Sequence, residues 1–247
     1  MYQKTFLWQE LTLPNTNILQ HNTEYGRFYS DNFGLYPSVT TMLQMIPKER
    51  WVREWEERTP IEDQERARNR ATKLGTEVHD IIEKYLNGKT ISIGKLGPVV
   101  GTLALKLIEE CKKVDAVYAS ERFLINHELA YAGTVDFCGV VGGENEVWDF
   151  KTGRYGGFGH NAPLNYRVQL ALYALALEDS TSERFSTGRI ILTSLYDGLK
   201  VYPIDLEPYK ERARLLSRHY WKKNGEIIER VREQLIRESQ RDIAEAI

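Results

Sequence analysis

Two aspartates and a lysine flank a pair of glycines in the middle of the chain. Asp136 precedes Gly142-Gly143, and Asp149 and Lys151 follow it, in two segments rich in β-branched and aromatic residues. This composition predicts a β-hairpin that turns at the two glycines. Asp136 lies as far before the turn as Asp149 lies after it, so the hairpin would make the two carboxylates cross-strand neighbours.

Carboxylates that face each other across a hairpin need a compensating charge. Directly opposed strand residues have Cβ atoms roughly 4.5–5.5 Å apart, and like charges at that separation destabilise a sheet. Because side chains alternate along a strand, Asp149 and Lys151 share one face, with Trp148 and Phe150 on the other. This arrangement predicts a site for a hard divalent cation with oxygen ligands. Alternatively, either aspartate lies on a solvated face, and a register shift of one residue would separate the pair.

The composition excludes several other kinds of site. The chain has 247 residues, of which 42% are hydrophobic and 28% charged, which predicts one sizeable globular domain or a core with an accessory lobe. Cys111 and Cys138 are its two cysteines, so we expect no disulfide framework and no four-cysteine iron–sulfur cluster. The formal net charge is −2, so contact with phosphate would depend on a local patch or on metal ions.

The sequence also limits the expected location. No apolar segment is long enough to cross a bilayer, and the first residues lack the basic start and apolar core of a signal peptide. We therefore expect an intracellular, cytoplasmic protein without membrane association.

A histidine lies on a helix that precedes the hairpin. The segment from Leu74 to Leu86 has an apolar stripe at helical spacing, and His79 falls at the edge of that stripe. Gly75, one turn earlier, permits close approach of a neighbouring element. A single histidine in such a position is more often a packed core residue than a ligand.

A second helical pattern follows the hairpin. Gln169 and Tyr173 lie one turn apart and face the same way. The ordinary interpretation is a surface glutamine beside a packed tyrosine. The glycine-rich segment 152–160 is expected to be a loop, and it lacks the Gly-Lys-Ser/Thr of a nucleotide-binding P-loop.

The N-terminal third is rich in aromatic residues without a sustained period, and these could stack on single-stranded bases. Pro37-Ser38-Val39 predicts a helix start capped by Ser38, and a helix N-terminus can also hold a phosphate. Trp51 and Trp55 lie one helical turn apart, and we expect them to pack in the core. Glu121, in a predicted strand, is interpreted as an ordinary strand acid.

The order of predicted elements is helix, helix, strand, two hairpin strands, helix, two strands and helix. This order predicts an α/β fold with a central mixed β-sheet flanked by helices. The expected divisions are an aromatic-rich and helical N-terminal region (1–71), a core (72–205) and a C-terminal helical region packed on the core (206–247).

Four short motifs, taken in order, resemble the RecB-like branch of the PD-(D/E)XK nuclease superfamily. They are Gly75-Thr76-Glu77-Val78-His79, Gly133-Thr134-Val135-Asp136, Asp149-Phe150-Lys151-Thr152-Gly153 and Gln169-Leu170-Ala171-Leu172-Tyr173. Each lies on the type of element that the family uses. With Pro37-Ser38-Val39-Thr40-Thr41 upstream, the arrangement is most similar to the mitochondrial genome maintenance exonuclease and its bacterial and phage relatives.

The resemblance implies a restriction-endonuclease-like core that hydrolyses phosphodiester bonds with Mg²⁺ or Mn²⁺ and without an iron–sulfur cluster. Lys151 would position the attacking water and stabilise negative charge in the transition state. Gln169 would orient Lys151 or the substrate, and Tyr173 and Ser38 would contact the substrate. The implied metal ligands are Asp136, Asp149, His79 and the main-chain carbonyl of Phe150, and the implied catalytic residues are Asp136, Asp149, Lys151 and His79.

The implied function is that of a deoxyribonuclease, an exonuclease acting on single-stranded DNA ends in replication, repair or recombination alongside proteins of those processes. A structure- or site-specific endonuclease is the alternative within the enzyme class. In another class, the alternative is a catalytically silent nucleic-acid-binding module that keeps the fold.

Overall fold

A six-stranded mixed β-sheet lies between two layers of helices, beside a smaller three-stranded sheet. The computed structural model describes residues 1–9, 11, 18–153 and 159–245. Its strands are β1 (Leu7–Trp8), β2 (Leu19–Thr23), β3 (Gly26–Ser30), β4 (Leu35–Pro37), β5 (Val114–Asn126), β6 (Tyr131–Val141), β7 (Glu144–Gly153), β8 (Thr187–Ser194) and β9 (Gly198–Asp205). Its helices are α1 (Val39–Leu43), α2 (Arg50–Arg58), α3 (Ile61–Leu86), α4 (Pro98–Cys111), α5 (Leu164–Ser180) and α6 (Glu207–Glu245), with a 3₁₀ turn at Ile93–Lys95.

The large sheet has the order β1-β5-β6-β7-β8-β9. Strands β5, β6 and β7 are antiparallel neighbours, β7 and β8 are parallel, and β8 and β9 are antiparallel. Helices α3 and α4 pack on one face, against Trp148 and Phe150, whereas α1, α5 and α6 pack on the other, against Val147. The predicted α/β fold with a central mixed sheet is therefore confirmed.

The β6–β7 hairpin turns at Gly142 and Gly143, whose φ angles are +62° and +82°. Both glycines occupy the left-handed region that a two-residue hairpin turn requires, which the absence of a Cβ makes favourable. The strand register runs from the pair Val141–Glu144 to the pair Phe137–Trp148. One further step would set Asp136 against Asp149, as the sequence predicts, but the ladder ends before that pair.

The strands part at this point and form a fork. Beyond Trp148, β7 continues alone beside β8, with Asp149 opposite Ile190. Strand β6 instead forms an isolated parallel bridge with the chain that enters α1, at Ala132 and Ser38. The predicted site residues of the hairpin therefore lie where β7 leaves β6.

Helix α3 crosses the predicted boundary between residues 71 and 72 without interruption, whereas the boundary at 205 and 206 falls between β9 and α6. The helix that carries His79 is thus continuous with the N-terminal region.

The prediction that Trp51 and Trp55 pack in the core is wrong, because these residues are 58% and 37% exposed. The short α2 buries none of its residues, and Gln64 of α3 holds its end through hydrogen bonds to the carbonyls of Glu56 and Thr59.

Four of the eight aromatic side chains in residues 1–37 build the core instead of a stacking surface. Phe6, Phe28, Tyr29 and Tyr36 are buried.

Residues 154–158 of the predicted glycine-rich loop lie outside the described residues. Among the helices described, none combines the length and apolar character needed to cross a membrane.

A buried ion-pair network holds β7 to β8 below the fork. Arg189 lies 2.7 and 2.8 Å from the two carboxylate oxygens of Glu146, which also accepts a hydrogen bond from the indole of Trp148. Glu110 of α4 contacts the same guanidinium at 3.3 Å. Because Glu146 is buried, it needs this partner to offset the loss of hydration, whereas the buried Glu110 also pairs with Lys113 at 2.7 Å.

We expect Glu146→Gln to lower the free energy of unfolding by about 2–3 kcal/mol, since Arg189 would lose its bidentate partner in a mostly buried position. Urea unfolding followed by circular dichroism measures the change. Glu226→Gln, at an exposed ion pair with Arg230, is the matched control and should change stability by less than about 1 kcal/mol. Equal effects of the two variants would contradict the structural role given to the network.

Candidate active site

Two buried carboxylates lie at the fork. Asp149 is 1% exposed and Asp136 is 8% exposed. One oxygen of Asp136 accepts a hydrogen bond from the main-chain N–H of Phe150 at 2.7 Å, which replaces the missing ladder pair. Neither oxygen of Asp149 has a hydrogen-bond partner among the described residues. A buried carboxylate without such partners is costly unless a cation compensates it.

Lys151 supplies part of that compensation. Its Nζ forms an ion pair with Asp149 Oδ2 at 2.5 Å. The ammonium also lies 4.7 Å from the centre of the Tyr166 ring and 3.4 Å from Gln169 Oε1. Gln169 in turn donates to the Tyr173 hydroxyl at 3.2 Å. The structure therefore connects Asp149, on β7, to helix α5 through these contacts.

His79 approaches the fork from α3, on the other side of the sheet. Its Nε2 lies 3.1 Å from the carbonyl oxygen of Phe150, and its Nδ1 lies 2.9 Å from Glu121 and 3.8 Å from Asp136. Burial is the largest single influence on the pKa of His79 and would lower it, but the charges of Asp136 and Glu121 together raise it to about 9. Without a bound cation, the ring is thus an imidazolium that donates to both neighbours.

Sequence reasoning missed Glu121. Its φ is +47°, an uncommon conformation for a residue with a side chain, and its carboxylate contacts His79. The β5–β6 register places it level with Asp136, between the pairs Ser120–Phe137 and Arg122–Val135. A search of the sequence could have found it only by pairing β5 with β6, and no glycine pair marks the connection between those strands.

These groups fit a divalent cation. Ligand atoms of His79, Glu121 and Asp136 all lie within 4.8 Å of one another, and Asp149 lies outside that compact group but beside it. The 3.1 Å between His79 Nε2 and the Phe150 carbonyl oxygen is close to the separation of about 3 Å expected for adjacent ligands of an octahedral ion with bonds of about 2.1 Å. The oxygens of Asp149 accept no hydrogen bond from the described residues, although Lys151 lies 2.5 Å from Oδ2, and this adds a third reason to place a cation here.

Without such an ion, the charged forms of the two aspartates are destabilised by burial. Burial raises the pKa of Asp149 to about 6, against the opposing effect of Lys151, and the charge of Asp136 adds to the increase. Burial also raises the pKa of Asp136, although the charge of His79 opposes it. Burial would lower the pKa of Lys151, but Asp149 and Asp136 outweigh it and raise that pKa. Lys151 is therefore an ammonium, suited to stabilise negative charge and unsuited to act as a base.

The remaining predicted substrate residues are buried beside the fork. Ser38 is 2% exposed, and its hydroxyl accepts a hydrogen bond from the N–H of Thr41 as the cap of α1. Tyr173 packs on Gly133, where an added Cβ would lie 2.9 Å from the tyrosine ring and 3.1 Å from Val39. A glycine is needed at position 133 because α1 and α5 both approach the strand there.

The raised pKa of Asp149 predicts a pH-dependent stability. In the folded state this carboxyl keeps its proton up to about pH 6, whereas in the unfolded chain it ionises near its usual pKa of about 4. Its ionisation therefore destabilises the metal-free protein increasingly as pH rises from about 4 to 6, and fully above that. In chelator, we expect Asp149→Asn to raise the melting temperature at pH 7.5 and to have little effect near pH 4. A variant less stable than wild type at pH 7.5 would contradict this electrostatic account.

Residues 48–246 match the model of the PD-(D/E)XK nuclease superfamily. No curated protein matches the chain. The crystal structure of SSO0001 is similar at 17% identity and a TM-score of 0.30, over 40% of this chain and 47% of that chain. The family match spans most of the chain and includes every site residue from His79 to Tyr173, so the chain belongs to the PD-(D/E)XK nuclease superfamily.

Proposed function

We propose that this protein is an Mg²⁺- or Mn²⁺-dependent exonuclease that degrades DNA from single-stranded ends. The observation that supports hydrolysis most strongly is the buried Asp149, whose oxygens lack hydrogen-bond partners among the described residues while Lys151 lies 2.5 Å away. A nuclease needs such a pairing, a ligand for the metal next to a fixed positive charge at the phosphate. Action from ends, single-stranded substrates and the RecB-like branch rest on the motif resemblance. We also propose action inside the cell, alongside replication or recombination proteins.

The residues at the fork would hold the metal. Asp136, Asp149, His79 and the Phe150 carbonyl are the proposed ligands. When bound, a divalent cation would polarise the phosphate and lower the pKa of a coordinated water. For binding, His79 would release the proton on Nε2 and keep the one on Nδ1, which Glu121 accepts in a hydrogen bond.

The positive charge of Lys151 would act on the phosphate. Asp149 and Gln169 hold its ammonium from two sides, so little reorganisation is needed as negative charge develops in the transition state. Tyr173 is buried and fixes Gln169, which makes it a positioning residue. Ser38, whose hydroxyl caps α1, would serve the substrate by holding that helix beside β6.

End-labelled linear and circular single-stranded DNA, incubated with Mg²⁺ or with chelator, tests the proposal. We expect Mg²⁺-dependent loss of the linear strand, an intact circle, and a decrease of at least about 100-fold in rate for Asp149→Ala and Lys151→Ala. Asp80→Ala and Lys84→Ala, at an exposed ion pair one residue beyond His79, are matched controls and should keep the wild-type rate.

Each contrary outcome identifies a different error. Cleavage of the circle would favour an endonuclease. Cleavage at the wild-type rate by Asp149→Ala or Lys151→Ala would contradict the proposed site. Binding of DNA without Mg²⁺-dependent cleavage by the wild type would favour a silent binding module.

Glu121 should affect metal affinity through His79. We expect Glu121→Gln to raise the Mg²⁺ concentration needed for half-maximal rate by about 10- to 100-fold, with partial recovery of the rate at saturating Mg²⁺. A titration of the initial rate against Mg²⁺ measures the effect. An unchanged Mg²⁺ dependence would show that the contact between Glu121 and His79 has no role in metal binding.

A further inference from the structure

In the part of the chain that the structure describes, one section of the sheet face that carries Asp136 is only partly covered; we call it the uncovered section, and it lies next to the site. At one end of this face, Ile125 and Ala132 pack under Tyr29 and Tyr36 of the small sheet. At the other end, His79 of α3 faces Glu121 and Asp136. Between these two covered ends lie Phe123 and Thr134, which are directly opposite each other on β5 and β6.

The register places Phe123 beside the proposed metal ligands. Thr134 and Asp136 are two residues apart on β6 and therefore share a face, about 7 Å apart along the strand. Phe123 pairs with Thr134, so its ring lies on that same face. Phe123 also follows Glu121 by two residues, which ties its position to the strand segment that contacts His79.

The exposure of this ring is unusual for its place in the fold. Phe123 is 39% exposed, and within strands β5 to β9 it is the one exposed large hydrophobic side chain. Its ring meets the buried ring of Tyr29 edge to face, with centroids 5.3 Å apart and an interplanar angle of 74°. Exposed apolar area costs about 25 cal/mol per Å², and the contact with Tyr29 holds the ring in one orientation.

We propose that Phe123 is the stacking platform for a base next to the scissile phosphate. This inference rests on the proposed nuclease function. A fixed aromatic face accepts any base, since every base has a π-face, and it favours an unpaired base because a duplex already stacks its bases. Phe123 is thereby a substrate-positioning residue that selects for single-stranded DNA at the site.

The test combines a protein variant with removal of the base. Release of the first labelled product is measured with Mg²⁺ on a single-stranded oligonucleotide, and on a series with one abasic residue at successive positions around the scissile bond. We expect Phe123→Ala to lower kcat/KM by about 5- to 100-fold on the intact strand. The abasic residue at one position should lower the wild-type value by a similar factor and make Phe123→Ala and wild type equal.

Leu215→Ala is the control, because Leu215 is 54% exposed on α6, outside the uncovered section. It should keep the wild-type kcat/KM. If Phe123→Ala unfolds at the assay temperature, Phe123→Tyr should retain the dependence on the base and Phe123→Leu should lose it.

The platform would be overturned if Phe123→Ala lowered kcat/KM by the same factor relative to wild type at every abasic position, or if it did not lower kcat/KM on the intact strand. Either result would leave the nuclease function in place. The absence of any product with the wild type would instead overturn the nuclease function, and the platform with it.

Discussion

The separation of β7 from β6 at Asp149 is the constraint on which the site depends. A continued ladder would have paired the two aspartates side by side in a sheet, where their charges repel. Instead, Asp136 accepts a hydrogen bond from the N–H of Phe150. Asp149 is 1% exposed and has no hydrogen-bond partner in the described part of the chain. The fold therefore keeps an ionisable group in an unfavourable setting that a cation would relieve.

The surrounding elements hold this setting in place from both sides of the sheet. Below the fork, the pair of Arg189 and Glu146 fixes β7 to β8. On one face α3 brings His79 to its partner Glu121 on β5, and on the other face α5 brings Gln169 to Lys151. Because groups from separate elements converge here, the stability and the electrostatics of the site are coupled, which is typical of functional sites.

Local rules predicted the parts of this arrangement that depend on short segments. The turn at Gly142 and Gly143 sets the register of the hairpin, and helical spacing sets the faces of His79 and Gln169. Glu121 could not be found in this way, because its contact with His79 depends on a left-handed backbone and on a connection without a turn signal. The exposure of Trp51 and Trp55 was also beyond local rules, since amphipathic spacing does not show whether another element covers the stripe. A preference for single strands and for ends depends on the surfaces around the site more than on the motifs, so local rules do not predict it.

Calorimetric titration with Mn²⁺ tests most directly whether the fork is a metal site. The account predicts that wild type and Asp80→Asn bind one ion with equal affinity, and that Asp136→Asn and Asp149→Asn each lose at least about tenfold in affinity. Unchanged affinity in both fork variants, or no binding by the wild type, would contradict it.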